Sequence, residues 1–446
     1  MSHAEKDIKK VLIINVEFPP ISGPSVQRVL KFTRYIHKQS WQVTVLTSAI
    51  KFWHMRDDSL STDIPEEVDV YRLYWYRIHE IGRGLANIFS FLVYPFLLFS
   101  KTRKVIAKGL NWRINIFLTH IFPEPDLLWV IVAILNYFRI YKKYNFNIVI
   151  TSGPPHASHL IGLFAKYFTK VQWLADFRDP WVDSIDLHPK GFIAKRLAFY
   201  LEKYVLKKAD TVITVSDGWK KLLQRKIEAR HYDKFHVIHN GYDPIDIPSL
   251  RVPLYSSKLT LHHNGSLYPR RDCSSFFRAI SKLKEQYTLL SNQLQITFTG
   301  IPDSQLTIIN ELYIGDIIYD IGRLSHIESL KYSMDKDVLL LLNDNADKAS
   351  LGMMTGKVYE YVALGKPILA LTSTSGDLAQ FLSQYEYARI VDYDDVRSII
   401  ATIIYLMKVK KDKGHIFSKA PSWINEYSRE KQSKQLVRIM NSFLMT

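Results

Sequence analysis

Cysteine is almost missing from this chain: Cys273 is the only one in 446 residues. No intrachain disulfide can form and no CxxC zinc site exists. That excludes a disulfide-stapled secreted scaffold and makes a reducing cytoplasm the expected setting. Long apolar runs are missing too. The best candidate, ANIFSFLVYPFLLFS at 86–100, is about 15 residues, short of the roughly 20 needed to span a bilayer, and Pro95 interrupts it. A second stretch, Leu127 to Ile140, has charges close on both sides. Both are expected to be buried or interfacial. The opening MSHAEKDIKK is polar and charged, unlike a secretory signal. Lys/Arg-rich tails and aromatic platforms of the RNA-binding type are not visible, so nucleic acid is not an expected partner. Repeats and low-complexity segments are also lacking.

A chain this long exceeds the roughly 250–300 residues at which one core stops growing, so two domains are expected. An apolar content of 47% is ordinary for a globular protein. The charge is uneven. Residues 1–250 carry 35 basic and 23 acidic side chains, residues 251–446 carry 24 and 20. A basic first half suits nucleic acid, anionic lipid or a phosphorylated substrate, and composition alone does not choose among them.

Short apolar runs alternate with helical patterns from the start. VLIIN at 11–15 reads as a buried parallel strand. A loop with Pro19, Pro20, Gly23 and Pro24 follows, then a helix over 26–38 and a strand at 43–46. The rhythm breaks between about residues 51 and 144. It resumes with strands at 147–151, 172–176, 211–215 and 235–238, and helices at 159–168, 195–207 and 218–226. HNGYDPIDIPSLRVP at 239–253, with three prolines, is the expected interdomain linker. The spacing then predicts strands at 259–263, 294–299, 317–321, 338–342, 367–371 and 388–391. Helices at 274–284, 327–333, 357–364 and 378–382 lie between them. A helix from Ser422 to about Met445 has no strand after it. The expected domains are 1–245 and 250–421, with 422–446 packing back on the first. Two βαβ domains leave a cleft at the carboxyl ends of both sheets, where ligands bind in open α/β folds.

Five segments sit at such strand ends. Gly23 precedes a helix, where backbone N–H groups suit a phosphate, or it simply turns the chain. TSGPPHASHL at 151–160 supplies hydroxyls and two histidines. His156 is a candidate proton carrier, while Ser152 or Ser158 as a helix cap is the plainer reading. In WLADFRDPW at 173–181, Asp176 is either functional or part of a structural charge cluster in which Arg178 bridges Asp179. HNGSLYPRRD at 263–272 brings Gly265 and the pair Arg270 and Arg271, whose guanidiniums suit bidentate phosphate contact or a solvated turn. In GMMTGKVYEYVALGKP at 352–367, Lys357 and Glu360 share one helix face. A carboxylate there can hold two vicinal hydroxyls, as on a ribose, or pair with the lysine.

Taken together, FPPISGPSVQRVLKF at 18–32, TSGPPHASHLIG at 151–162, ADFRDPW at 175–181, HHNGSLYPRRD at 262–272 and VYEYVALGKPIL at 358–369 resemble glycosyltransferase family 4. The narrower likeness is to its bacterial surface-polysaccharide branch, which PEPDLLW at 123–129 also fits. The resemblance covers nearly the whole chain in order. It implies an α/β GT-B fold, two Rossmann-like domains with parallel sheets facing across a cleft, and retaining transfer from a nucleoside-diphosphate sugar. Arg271 falls where the family places a cation on the diphosphate. Glu360 falls on the second Glu of the E-x7-E motif, which holds the ribose, and Gly23 on the donor loop. The acceptor side would come from the region of His156 and Asp176. Three positions depart from the pattern: Gly352 stands at the first motif Glu, Ser266 at a position often Arg, and the loop at 21–25 has a single glycine.

No metal is expected, since none of these segments carries a DxD or histidine cluster. Arg271 and Lys357 would take a metal's part on the leaving phosphate. Residues 81–123 contain six basic residues and no Asp or Glu. There Lys101, Arg103 and Lys104 beside Phe96 and Phe99 suit docking to an anionic membrane surface on the cytoplasmic side. That would bring a lipid-linked or saccharide acceptor to the cleft. The alternatives from other classes are a GT-B sugar-nucleotide epimerase and a non-catalytic basic membrane-binding protein.

Overall fold

The computed structural model describes residues 8–49, 56–74, 124, 126–183, 191–248, 257–265, 267, 273–343, 349–416 and 418–444. The chain forms two compact units. The first comprises residues 1–215, 219–238 and 433–446, the second 216–218 and 239–432.

The first unit is built on seven parallel strands: β1 (Lys10–Ile14), β2 (Gln42–Ser48), β3 (Asp69–Leu73), β4 (Ile148–Gly153), β5 (Gln172–Phe177), β6 (Thr211–Thr214) and β7 (Phe235–Val237). Their order is β3-β2-β1-β4-β5-β6-β7, so the winding reverses between β1 and β4. Val11 pairs with Val43 on one side and Ile148 on the other. The strands read as apolar runs because both faces are covered. One face carries helix α1 (Pro24–His37). The other carries α2 (Leu127–Tyr144), α3 (Ala157–Thr169) and α4 (Phe192–Lys208). A shorter helix, α5, spans Asp217–Gln224. Trp129, Tyr137, Ile161 and Ala198 pack with Leu12, Ile14 and Trp173 on the second face.

β3 is a strand that the sequence pattern does not predict. It is an edge strand, half buried at best, and carries Asp69 and Arg72 in a five-residue span. The apolar stretch from Leu127 is a full 18-residue helix. Among the described residues no helix is long and apolar enough to cross a membrane.

The second unit repeats the winding with six parallel strands: β8 (Leu259–His263), β9 (Leu294–Phe298), β10 (Ile318–Asp320), β11 (Val338–Leu342), β12 (Ile368–Leu371) and β13 (Ala388–Val391). The order β10-β9-β8-β11-β12-β13 reverses between β8 and β11. Helices α6 (Ser274–Gln286), α7 (Asp303–Glu311), α8 (His326–Met334), α9 (Lys357–Ala363), α10 (Asp377–Leu382) and α11 (Val396–Lys413) surround the sheet. Alternate residues of β11 serve opposite cores. Val338, Leu340 and Leu342 pack with Phe276 and Ile403, while Leu339 and Leu341 pack with Val358 and Tyr361.

The chain ends in α12 (Arg429–Ser442). The predicted helix from Ser422 therefore starts later. Residues Ser422–Tyr427 form a tight 3-10 turn after Pro421. Leu436, Val437 and Met440 of α12 are buried with Val11, Ile13 and Val43 of the first unit's core.

Candidate functional site

In a doubly wound sheet, the strand ends at the reversal point diverge and leave room for a ligand. In the second unit that point lies at the ends of β8 and β11. β8 delivers His263, Asn264 and Gly265 there. The Asn264 backbone N–H donates to the Tyr361 hydroxyl at 2.8 Å, and its side-chain amide donates to Ser329 Oγ at 3.2 Å. The Gly265 N–H donates to Thr299 Oγ1. Gly265 has φ +101°, a conformation L side chains rarely adopt. A Cβ there would sit 2.8 Å from Lys357 Cε and 2.9 Å from its Nζ. The glycine lets the lysine side chain lie directly over the strand end.

Lys357 opens α9, and its Nζ lies 3.1 Å from His263 Nε2. His263 Nδ1 faces the Leu340 carbonyl at 3.0 Å. A carbonyl only accepts, so Nδ1 carries the proton and Nε2 accepts from the ammonium. The lysine is thus steered at the strand end by a histidine fixed in one tautomer.

Glu360 lies one turn along α9. Its Oε1 is 3.8 Å from His326 Nε2, which also meets Asp246 Oδ2 at 3.5 Å. Burial raises the Glu360 carboxyl above its ordinary range, with Asp246 adding to the rise. His326, Arg429 and Lys357 pull the other way. In the second unit Lys357 thus lies over Gly265, with Glu360 one turn further along the same helix. His263, His326 and Asp246 complete the surroundings, and the sequence reading did not single them out. His326 has a legible context: it follows Ser325, which forms a capping box with Glu328. Gly352 is buried in a short 3-10 turn, Ser350–Gly352. Arg270, Arg271 and Ser266 lie outside the described residues.

At the reversal point of the first unit, Gly23 precedes α1 with φ +151°, and Pro follows it at the first helical position. Asp176, at the end of β5, is buried. Arg28 of α1 grips both its oxygens, Nε to Oδ2 at 3.1 Å and Nη2 to Oδ1 at 2.9 Å, and Ser152 Oγ donates to Oδ2 at 2.9 Å. Arg178 feels the Asp179 carboxylate, as expected, and it also joins this network. It is buried, its Nε donates to Ser152 Oγ at 3.1 Å, and its Nη2 donates to the Pro154 carbonyl. Ser152 therefore serves this ion network and is not the cap of α3. That cap is the Glu124 carboxylate, which accepts from the backbone N–H groups of His156 at 2.8 Å and Ala157 at 2.6 Å.

His156 is buried, its ring stacked 5.2 Å from Trp181 and 5.4 Å from Phe177. Burial, then His159 and two nearby cations, hold its pKa well below the ordinary value, so the ring is neutral at pH 7. Neither His156 nor Asp176 presents its side chain to solvent. The expected contact with an acceptor is not what this arrangement offers, because the Asp176 oxygens are already occupied and His156 is enclosed in rings. Both hold the loops that leave β4 and β5. Phe96, Phe99, Lys101, Arg103 and Lys104 lie outside the described residues. Among the described residues, no three His, Cys, Asp or Glu side chains come together as a metal site.

Similar solved structures span nearly the whole chain. A sucrose-phosphate synthase from Thermosynechococcus elongatus is 13% identical with a TM-score of 0.64, over 98% of this chain and 99% of that one. Anabaena HepE in complex with UDP-glucose is 13% identical with a TM-score of 0.62, over 97% and 99%. A UDP-N-acetylglucosamine 2-epimerase is 13% identical with a TM-score of 0.51, over 96% and 94%. The chain thus has the α/β GT-B architecture, two Rossmann-like units each with a parallel sheet. Residues 25–241 match the family model of the glycosyl transferase 4-like domain. No curated protein sequence matches the chain.

Proposed function

We propose that this protein is a retaining glycosyltransferase. It takes a sugar from a nucleoside-diphosphate donor and passes it to a lipid-linked or growing saccharide acceptor at the cytoplasmic face of an anionic membrane. The observation that carries the reading is the Lys357 ammonium, 3.1 Å from His263 Nε2 and laid over Gly265 at the reversal point of the second sheet. A cation there meets the charge that grows on a departing diphosphate. Glu360 receives the ribose hydroxyls, and Arg270 and Arg271 add to the phosphate contacts. The buried Arg28–Asp176–Ser152–Arg178 network and the enclosed His156 act by positioning the loops of the first unit, which takes the acceptor. A dedicated protein nucleophile is not part of the scheme.

Epimerases share this architecture, so the fold does not separate transfer from epimerisation. The glycosyl transferase 4-like match over residues 25–241 favours transfer. The test is thermal unfolding with UDP-glucose, GDP-mannose and dTDP-glucose. A ligand at 100 times its Kd stabilises the native state by about 2.7 kcal/mol. One of the three nucleotides should raise the midpoint, and incubation should not convert the sugar to its epimer without acceptor. No shift with any of them would count against the reading.

A further inference from the structure

The helix α4 is built inside out. The residues it turns inward are small or singular: Ala194, Ala198, Glu202, Val205 and Leu206. Its large apolar side chains face outward instead. Phe192 is 77% exposed, Ile193 59% and Tyr200 53%, with Leu197, Phe199 and Tyr204 also exposed. A helix that packs alanines on its sheet and turns phenylalanine and isoleucine to water leaves apolar surface that solvent alone does not favour. α3 packs against both α2 and α4. It continues the surface with Tyr167 and Phe168, and α2 adds Leu135 and Phe138, all exposed.

The charge on these helices is of one sign. α2, α3 and α4 together carry nine Lys and Arg against a single carboxylate of their own; Lys166 pairs with Asp210 and Lys207 with Glu228 from neighbouring segments, which leaves seven. That carboxylate, Glu202, is fully buried, where Lys226 Nζ at 2.6 Å and the Trp181 N–H at 2.9 Å hold it. No acid on these helices therefore reaches the outer surface. The cations are interleaved with the rings: the Arg196 guanidinium lies 5.7 Å from the Tyr200 ring centre and Lys208 Nζ 5.7 Å from that of Tyr204.

We infer that the outer face of α4, with the C-terminal end of α3 and the middle of α2, docks on an anionic lipid bilayer. Rings and branched aliphatics enter the interface while the lysines and arginines meet lipid phosphates. Ile193, Leu197 and Leu135 give a nucleic acid nothing to stack on or bond to. A second protein would need carboxylates facing this many cations and a concave surface to receive protruding rings. A bilayer supplies the negative charge and adapts to the protrusions. The inference deepens the membrane part of the proposed function and rests on it, and it places a contact on α4, outside residues 81–123.

Vesicle binding by the full chain tests it. Phosphatidylglycerol and phosphatidylcholine vesicles are compared by co-sedimentation, with the double variants Phe192→Ser/Ile193→Ser and Lys195→Glu/Arg196→Glu beside wild type. All four positions are exposed, so folding is retained, and the donor-induced thermal shift confirms it in each variant. Wild type should prefer phosphatidylglycerol. Each near-surface cation is worth about 1 kcal/mol, so the charge variant should lose at least about tenfold in partitioning, and the apolar variant should lose comparably. Because Cys273 is buried, Tyr200→Cys takes a maleimide–NBD label selectively. Labelling should be fast without vesicles, and the fluorescence should rise with phosphatidylglycerol. The inference is overturned if wild type does not bind phosphatidylglycerol, or if both α4 variants bind as wild type does. It is overturned equally if Tyr200→Cys is protected without lipid, if the apolar variant breaks a dimer seen without lipid, or if single-stranded RNA binds in place of vesicles. A donor-induced shift with no vesicle binding would sink this inference and leave the donor reading standing.

Discussion

Replacing Asp176 with Asn separates a holding role from a reacting one. The carboxylate is buried with Arg28, at side-chain exposures of 0% for the arginine and 2% for the aspartate. Two arginine nitrogens at 2.9 and 3.1 Å and Ser152 at 2.9 Å account for its oxygens. Asn keeps the shape but removes the charge, leaving a guanidinium buried without its counterion. Breaking one side of such a pair costs about 3–5 kcal/mol. In a unit of this size each kcal/mol moves the midpoint by about 2–4 °C, so Asp176→Asn should melt roughly 6–20 °C lower. Two compact units need not unfold together, so a single global midpoint is unsuitable. Tryptophan fluorescence is the right probe, since Trp423 is the only one of the nine tryptophans beyond residue 219. The double variant Arg28→Met/Asp176→Leu removes both charges and should regain more than half of the loss. If Asp176→Asn unfolds at the wild-type temperature yet abolishes sugar transfer, Asp176 reacts and does not hold, and the positioning account is refuted.

Three further outcomes follow from the same structure. A Cβ at Gly162 would meet Trp173 Cε2 at 2.5 Å and Thr151 Cγ2 at 2.7 Å, so Gly162→Ala should destabilise the first unit by about 1–3 kcal/mol in urea unfolding, and a wild-type midpoint would show that α3 can shift off the sheet at no cost. Burial lifts the Glu124 carboxyl to about 8 against the pull of two backbone N–H bonds; the folded state then holds the proton more tightly than the unfolded one, so stability should fall as pH rises from about 4.5 to 8, and Glu124→Gln should flatten that slope in melts across pH. Sugar transfer should survive a chelator, because Lys357 and the Arg270–Arg271 pair supply the cations at the phosphates; loss of activity restored by magnesium or manganese would contradict this.

The alternation of strands and helices was readable because parallel strands covered on both faces are written as unbroken apolar runs. VLLLL at 338–342 is the clearest, with all five residues buried. β3 has no such run: it lies at the sheet edge and half of its character is polar. Lys357 and Glu360 could be paired from their spacing alone. The approach of Lys357 to Gly265 could not, because it depends on how α9 crosses the end of β8, and helix direction is not written in either segment. The Arg28–Asp176 pair joins residues 148 positions apart, and only the packing of α1 across the sheet brings them together. His156 reads from the sequence as a candidate proton carrier at a strand end on the cleft edge. Its enclosure by Trp181 and Phe177 comes from a loop that folds back, which local pattern does not reveal.

The central claim is that the second unit holds the donor through Lys357 and Glu360. Isothermal titration with UDP-glucose, GDP-mannose and dTDP-glucose, on wild type, Lys357→Ala and Glu360→Ala, tests it most directly. A hydrogen bond to a charged group is worth about 1.5–3 kcal/mol, so each variant should bind the preferred donor roughly 10–150 times more weakly. Wild-type affinity in both variants would contradict the claim, because a donor bound that well is held elsewhere.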